Sequence, residues 1–264
     1  MSEFPWDECP FPKKKMTIPI GRVIEKLDEY LGRDDMSGAR RHLLYWLDEA
    51  VAAGDRHGEL SVCNELIGLY RKTGVRDEAM SFSDRALSLC RELGLTDTVT
   101  YATTLLNAAT AMKAFGDSAQ AIGLYEEAQT LYEQYLEKDD PRLGGLYNNM
   151  GLCLLDEKQY GRARKAYEKA LSVMNAIPGK EPEAAITYCN LADLIAEEKG
   201  LLEGEAQIGE LMRAAWDKLN TPGLAHDGNY TYVCEKCAPV FGYYGFFLEK
   251  NELAERARRY YERP

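Results

Sequence analysis

The chain has 264 residues, and its 43 Asp and Glu outnumber its 32 Lys and Arg, which gives a formal net charge of −11 at pH 7. Phosphate groups require a concentrated positive face, and the longest basic run is 13–15, so the composition argues against nucleic acid as a partner. No segment approaches twenty consecutive apolar residues and the N-terminus has no apolar signal sequence, so we expect a cytoplasmic protein that does not enter a membrane.

The first seventeen residues contain three prolines among aromatic residues, which predicts an irregular N-terminal extension over 1–17. Beyond it we expect a single domain, 18–264. Apolar residues that recur at i, i+3, i+4 and i+7 predict paired helices throughout this domain. The helical hairpins are predicted at 18–53, 56–94, 97–138, 141–176, 181–219 and 227–263, with Ala254 on the inward face of the last one.

A short pattern repeats along the chain. Ala-x-x-x-Tyr-x-x-Ala begins at Ala79, Ala121 and Ala163, with Ser83 in place of the tyrosine in the first copy, and the copies are forty-two residues apart. A constant period of this size, with two helices in each unit, is typical of a helical solenoid. The sequence therefore predicts an all-α fold of about six helix-turn-helix hairpins.

One segment carries a family resemblance. Residues 136–171, LEKDDPRLGGLYNNMGLCLLDEKQYGRARKAYEKAL, closely resemble the forty-two-residue variety of the tetratricopeptide repeat that is found in kinesin light chains. The resemblance is specific over 60–200, looser over 18–59 and weakest after 200. It implies a right-handed superhelical solenoid, of the kind found in bacterial cytoplasmic members of the family. The first helix of each hairpin would line a concave groove that holds a peptide, without catalysis or a cofactor.

Asparagines recur on the first helices of the hairpins. Asn107, Asn149 and Asn190 are forty-two and forty-one residues apart, and each lies roughly 200° around its helix from a core position. An amide both donates and accepts, so a row of them can hold a peptide backbone, and the resemblance places these residues where family members bind extended peptides. Asn64 is a fourth candidate. The alternative is that the amides only bond to neighbouring helices and fix the superhelix pitch.

Lys113, Leu152 and Asp193 complete the predicted peptide-binding set in the groove. The same stripe of residues carries little positive charge. The central repeats also lack the set of Lys and Arg with which chaperone-binding members of the family hold a terminal carboxylate. We therefore expect a neutral or basic peptide as the ligand and not an acidic one.

Two features near the C-terminus are candidate sites. Cys234 and Cys237 are weak metal candidates, because zinc needs four ligands and only His226 and Cys9 could add to them. We expect two packing residues and no metal, and the seven scattered cysteines suit a reducing compartment. The same hairpin is rich in aromatic residues, which would cap the end of the solenoid. They exceed what one helix face can bury, so a homodimer through this hairpin is the second expectation.

These patterns favour binding over chemistry. No phosphate-binding glycine loop and no nucleophile-base grouping occurs in the sequence, so we expect a non-enzymatic scaffold or adaptor that binds a peptide or protein segment in the concave groove. The alternative is a peptide-responsive signalling regulator, as in bacterial proteins with similar repeats. Fewer than twenty residues precede the first predicted helix, so such a regulator would act through a separate effector protein.

Overall fold

The computed structural model describes residues 17–262, and these form twelve α-helices and no β-strand. The predicted irregular extension, 1–17, lies outside the described residues except for Thr17. The helices group into two compact units, the first ending at Phe115 and the second beginning at Gly116. The predicted fold class, an all-α helical repeat solenoid, is confirmed, whereas the single domain over 18–264 stays a prediction.

The first unit contains five helices, and each packs on the next one along the chain. α3 also contacts α5, so the first helices of successive hairpins lie side by side. Leu43, Leu66 and Leu105 are fully buried at the centre of this unit. The five helices are α1 (Ile20–Gly32), α2 (Met36–Ala53), α3 (Arg56–Thr73), α4 (Arg76–Glu92) and α5 (Val99–Ala114).

Aspartates and glycines set the limits of these helices. The Asp55 carboxylate accepts from the Gly58 amide (3.0 Å) at the start of α3 and from the Ile18 amide (2.9 Å). It therefore caps α3 and fastens the chain that enters α1 to the same point. Gly54 and Gly74 end α2 and α3 with φ of 65° and 74°, a backbone conformation that glycine adopts without strain.

The second unit contains seven helices, among which α7 and α8, α9 and α10, and α11 and α12 form antiparallel hairpins. α9 also contacts α8 and α11, which joins the three hairpins into one stack. The helices are α6 (Ser118–Tyr135), α7 (Pro141–Asp156), α8 (Tyr160–Ala176), α9 (Glu181–Lys199), α10 (Leu201–Leu219), α11 (Gly228–Tyr243) and α12 (Phe247–Tyr261).

All twelve helices lie within the hairpin limits predicted from the sequence. The inward position predicted for Ala254 is wrong, because Ala254 is exposed while Leu253 and Ala257 are buried. None of the described helices combines the length and the apolar character needed to cross a membrane.

A tyrosine and a glycine set the distance between α8 and α7. Tyr167 of α8 is fully buried, and its ring lies directly against Gly151 of α7. A Cβ atom at Gly151 would lie 2.5 Å from Tyr167 Cε1, well inside van der Waals contact. The two helices can approach this closely only because position 151 has no side chain.

We predict that Gly151→Ala destabilises the protein by about 1–3 kcal/mol, since the Tyr167 ring must leave its packed position. Gly145→Ala on the same helix is the matched control. A Cβ there meets nothing within 4 Å, so the change should raise stability by about 0.5–1 kcal/mol through helix propensity alone. Urea unfolding measures both free energies. Equal effects of the two substitutions would contradict the packing described for Tyr167.

Candidate functional site

Two of the predicted asparagines bond to each other in the first unit. The Asn107 side chain on α5 donates to Asn64 Oδ1 on α3 at 2.9 Å. The Asn64 amide in turn donates to Thr104 Oγ1 at 3.2 Å and to the Leu60 carbonyl at 3.1 Å. These contacts join the first helices of adjacent hairpins. They correspond to the structural alternative of the sequence analysis, in which the amides bond to neighbouring helices.

The second unit repeats this arrangement with a residue that the sequence analysis missed. The Asn190 side chain on α9 donates to Asn148 Oδ1 on α7 at 2.9 Å, and Thr187 Oγ1 donates to the same oxygen at 3.1 Å. In each unit, a threonine three residues before the second asparagine contacts the first one. Asn148 is thus the counterpart of Asn64.

The predicted residue Asn149 has a different environment from its neighbour Asn148. It is half-buried on α7, and its side-chain amide has no hydrogen-bond partner among the described residues. Leu152, also half-buried, follows three residues later and so lies on the same side of the helix. An amide with unused donors and an acceptor beside an apolar side chain can bind a peptide backbone together with an apolar group.

Lys113 and Asp193 are the remaining predicted site residues. Lys113 is half-buried near the end of α5 in the first unit. Asp193 is half-buried on α9, and its Oδ1 accepts from the Tyr244 hydroxyl at 2.7 Å. Burial raises the pKa of Asp193, the Tyr244 hydrogen bond opposes this shift, and the nearby charge of Glu197 adds to it.

A second carboxylate lies at the C-terminal end of α7. Asp156 is exposed at the last position of this helix, and its Oδ2 accepts from the Ser118 hydroxyl of α6 at 2.6 Å. Asp193 and Glu197 lie toward the C-terminal half of α9. The face formed by α7 and α9 is therefore amide-rich near Asn148 and acidic near the helix ends.

The cysteines of the last hairpin are buried. The neighbouring Cys237 thiol of α11, together with burial, raises the pKa of Cys189 on α9, and burial raises the pKa of Cys234 to about 11. Cys9 lies outside the described residues. Within 17–262, no group of three or more His, Cys, Asp or Glu is arranged to hold a metal ion. Cys237 thus has a packing partner on another helix instead of forming a pair with Cys234.

Some large apolar side chains of the aromatic hairpin are buried and others are exposed. Tyr230 and Phe241 are buried against the unit, whereas large apolar side chains near the two hairpin turns are exposed. A cavity of about 790 Å³ opens between the α9–α10 turn and the α11–α12 turn. We call the exposed group the C-terminal apolar patch, which consists of Leu201, Leu202, Tyr243, Phe247 and Leu248.

Comparison with solved structures places the fold among repeat proteins. BtubC (BKLC) from P. vanneervenii is 21% identical, with a TM-score of 0.64 over 78% of this chain and 84% of that chain. A Podosopora anserina protein with nearly identical TPR-like repeats is 15% identical, with a TM-score of 0.55 over 76% and 93%. MamA is 16% identical, with a TM-score of 0.51 over 78% and 96%. These likenesses establish the fold.

Comparison with curated proteins gave no match. The family model for the tetratricopeptide repeat matches residues 60–134 and 142–203, which together make up more than half of the chain. These ranges contain the repeated alanine pattern and both asparagine pairs. The chain therefore belongs to the tetratricopeptide repeat family.

Proposed function

We propose that this protein is a scaffold or adaptor that binds a peptide or protein segment on the face formed by its first helices. The observation that carries the proposal is Asn149, whose amide lies unpaired beside Leu152 on α7. The neighbouring Asn148 is used to hold α9, so the two adjacent asparagines have separate roles. Asn149 is the one whose donors and acceptor are available to a ligand.

The chemistry of the face sets the class of ligand. Asp156, Asp193 and Glu197 make the α7–α9 side acidic, so we propose a neutral or basic peptide, bound without catalysis. The six described cysteines are free and buried, which is consistent with the cytoplasmic location that we propose. The alternative, a peptide-responsive regulator, would bind its peptide on the same face. It differs from a scaffold in that peptide binding would alter the activity of a separate effector protein.

Binding on this face is tested with a random 12-residue peptide library displayed on phage. We expect wild-type protein to select peptides, and Asn149→Ala to weaken the best synthetic peptide about tenfold without a change in stability, because hydrogen bonds to ligand are lost. Asn175→Ala, an exposed asparagine on α8, is the matched control. Failure to select any peptide, or equal affinities for wild type and Asn149→Ala, would refute the proposal.

The structural asparagines should behave in the opposite way. Asn148→Ala and Asn190→Ala should each reduce the free energy of unfolding by about 1 kcal/mol, and a double-mutant cycle should give a coupling of similar size. Thermal or urea unfolding of the three variants provides the numbers. Additive effects would show that the hydrogen bond between these two residues contributes nothing to stability.

We propose a homodimer as a second role, and its support is the C-terminal apolar patch. Leu202 is 90% exposed and lines the cavity between the two hairpin turns, and Leu248, near the start of α12, is 82% exposed. Contiguous exposed apolar surface of this kind is typical of interaction sites. A two-fold interface would bury the same patch on both copies.

Sedimentation velocity over a range of concentrations tests this second role. We expect a monomer-dimer equilibrium for wild-type protein and a shift to monomer for Leu202→Glu, since dimerisation would bury an unpaired charge. Val51→Glu, which changes an exposed apolar residue of the first unit, should leave the equilibrium unchanged. A wild-type protein that remains monomeric at the highest concentration would disprove the dimer.

A further inference from the structure

One side of α10 is exposed along most of its length. Residues at i, i+3, i+4, i+7 and i+11 share one side of a helix, and here they are Leu202, Glu205, Ala206, Gly209 and Arg213. Four of them are exposed and Gly209 is half-buried. We call these five residues the α10 stripe, and all five line the cavity of about 790 Å³ beside the C-terminal apolar patch. The stripe is therefore a helix surface that is open to a partner.

The two charged members of the α10 stripe have opposite signs. Glu205 and Arg213 are separated by roughly 12 Å along the helix axis. Neither forms a hydrogen bond or an ion pair within the part of the chain that the structure describes. A Cβ atom at Gly209 would lie 3.4 Å from Arg213 Nη1, so the guanidinium group extends back over Gly209. Each charge is therefore accessible to a group from outside the chain.

The order of these charges makes the α10 stripe complementary to itself. If two copies of α10 meet in antiparallel orientation, a two-fold axis places Glu205 of each copy opposite the partner's Arg213. The parallel orientation would bring like charges together. Between the two charges lie Ala206 and Gly209, whose small size allows two helix axes to approach closely. The stripe thus carries both halves of a two-fold contact.

The apolar surroundings of the stripe suit the same occupant. Leu202 lies at the N-terminal end of the stripe, and the α11–α12 turn forms the other wall of the cavity with Tyr243 and Phe246. A helix that enters this cavity must offer small residues at its middle, opposite charges in the reverse order, and apolar residues that cover the patch. α10 of a second copy has all of these features.

We propose that α10 pairs with α10 of a second copy in antiparallel orientation, with Glu205 of each copy bound to the partner's Arg213. This proposal rests on the homodimer through the C-terminal apolar patch and names the contact at its centre. Exposed ion pairs add little affinity, so burial of the patch supplies most of it. The two ion pairs fix the direction in which the helices meet, because the parallel orientation would be repulsive.

Charge reversal on either side of the contact tests this pairing by sedimentation velocity. Glu205→Arg alone and Arg213→Glu alone should each weaken the dimer about tenfold, because two-fold symmetry places like charges together at two points of the interface. Both side chains are exposed, so neither change should affect folding. Glu210→Arg is the matched control, since Glu210 is exposed on the same helix but lies about 100° around from Gly209. It changes the net charge as Glu205→Arg does and should leave the dimer unchanged.

An equimolar mixture of Glu205→Arg and Arg213→Glu should form a dimer as strong as that of the wild type. In the mixed dimer one contact keeps its native charges and the other has both charges exchanged, so both contacts are attractive. Recovery in the mixture also shows that both variants are folded. A dimer surface elsewhere on the chain would show neither the loss in the single variants nor the recovery in the mixture.

Three results would overturn the pairing of α10. A wild-type protein that stays monomeric at every concentration would remove the homodimer itself. A wild-type dimer that Leu202→Glu disrupts but neither charge reversal weakens would leave the patch as the interface and exclude the antiparallel contact. Single variants that weaken the dimer without recovery in the mixture would also exclude it. Peptide selection on the α7–α9 face does not depend on these results, so the scaffold proposal is tested separately.

Discussion

The packing of a large side chain on one helix against a small residue on the adjacent helix is the constraint on which the rest of this structure depends. In the second unit the large ring of Tyr167 meets Gly151, and neither helix could come so close with a side chain at position 151. At the equivalent positions of the first unit, the small Ser83 goes with Ile67, and both are buried. A core of nearly constant volume is filled in both units by opposite choices of residue.

That packing fixes which side chains of the first helices face their neighbours. α7, held against α8 by the Tyr167 and Gly151 contact, directs Asn148 toward α9, where it bonds to Asn190, while Asn149 takes no part in this hydrogen bond. The division of labour between two adjacent asparagines is therefore a consequence of core packing. The available amide, Asn149, directly follows Asn148, which joins α7 to α9. Both lie on α7, whose position is set by the core.

Helical periodicity was enough to predict the helices, because a turn of 3.6 residues and a regular alanine and tyrosine pattern define the buried face of each helix. It could not identify Asn148. The forty-two-residue spacing leads from Asn107 to Asn149, whereas the residue that bonds to Asn190 is Asn148, which lies forty-two residues before Asn190. Asn64 and Asn107, in contrast, are forty-three residues apart, so the spacing between bonded asparagines is not constant and a fixed period does not identify Asn148. The buried face of the last helix was also predicted wrongly, since Leu253 and Ala257 are buried there and Ala254 is not.

The ring of Tyr167 and its hydroxyl group differ in what they contribute to folding. Gly151 requires a large ring at position 167, and phenylalanine would supply the same ring without a buried polar atom. The ring is therefore explained by packing, but the oxygen is not. Burial and the charges of Asp193 and Asp156 raise the pKa of the hydroxyl, so this buried group keeps its proton and carries no charge.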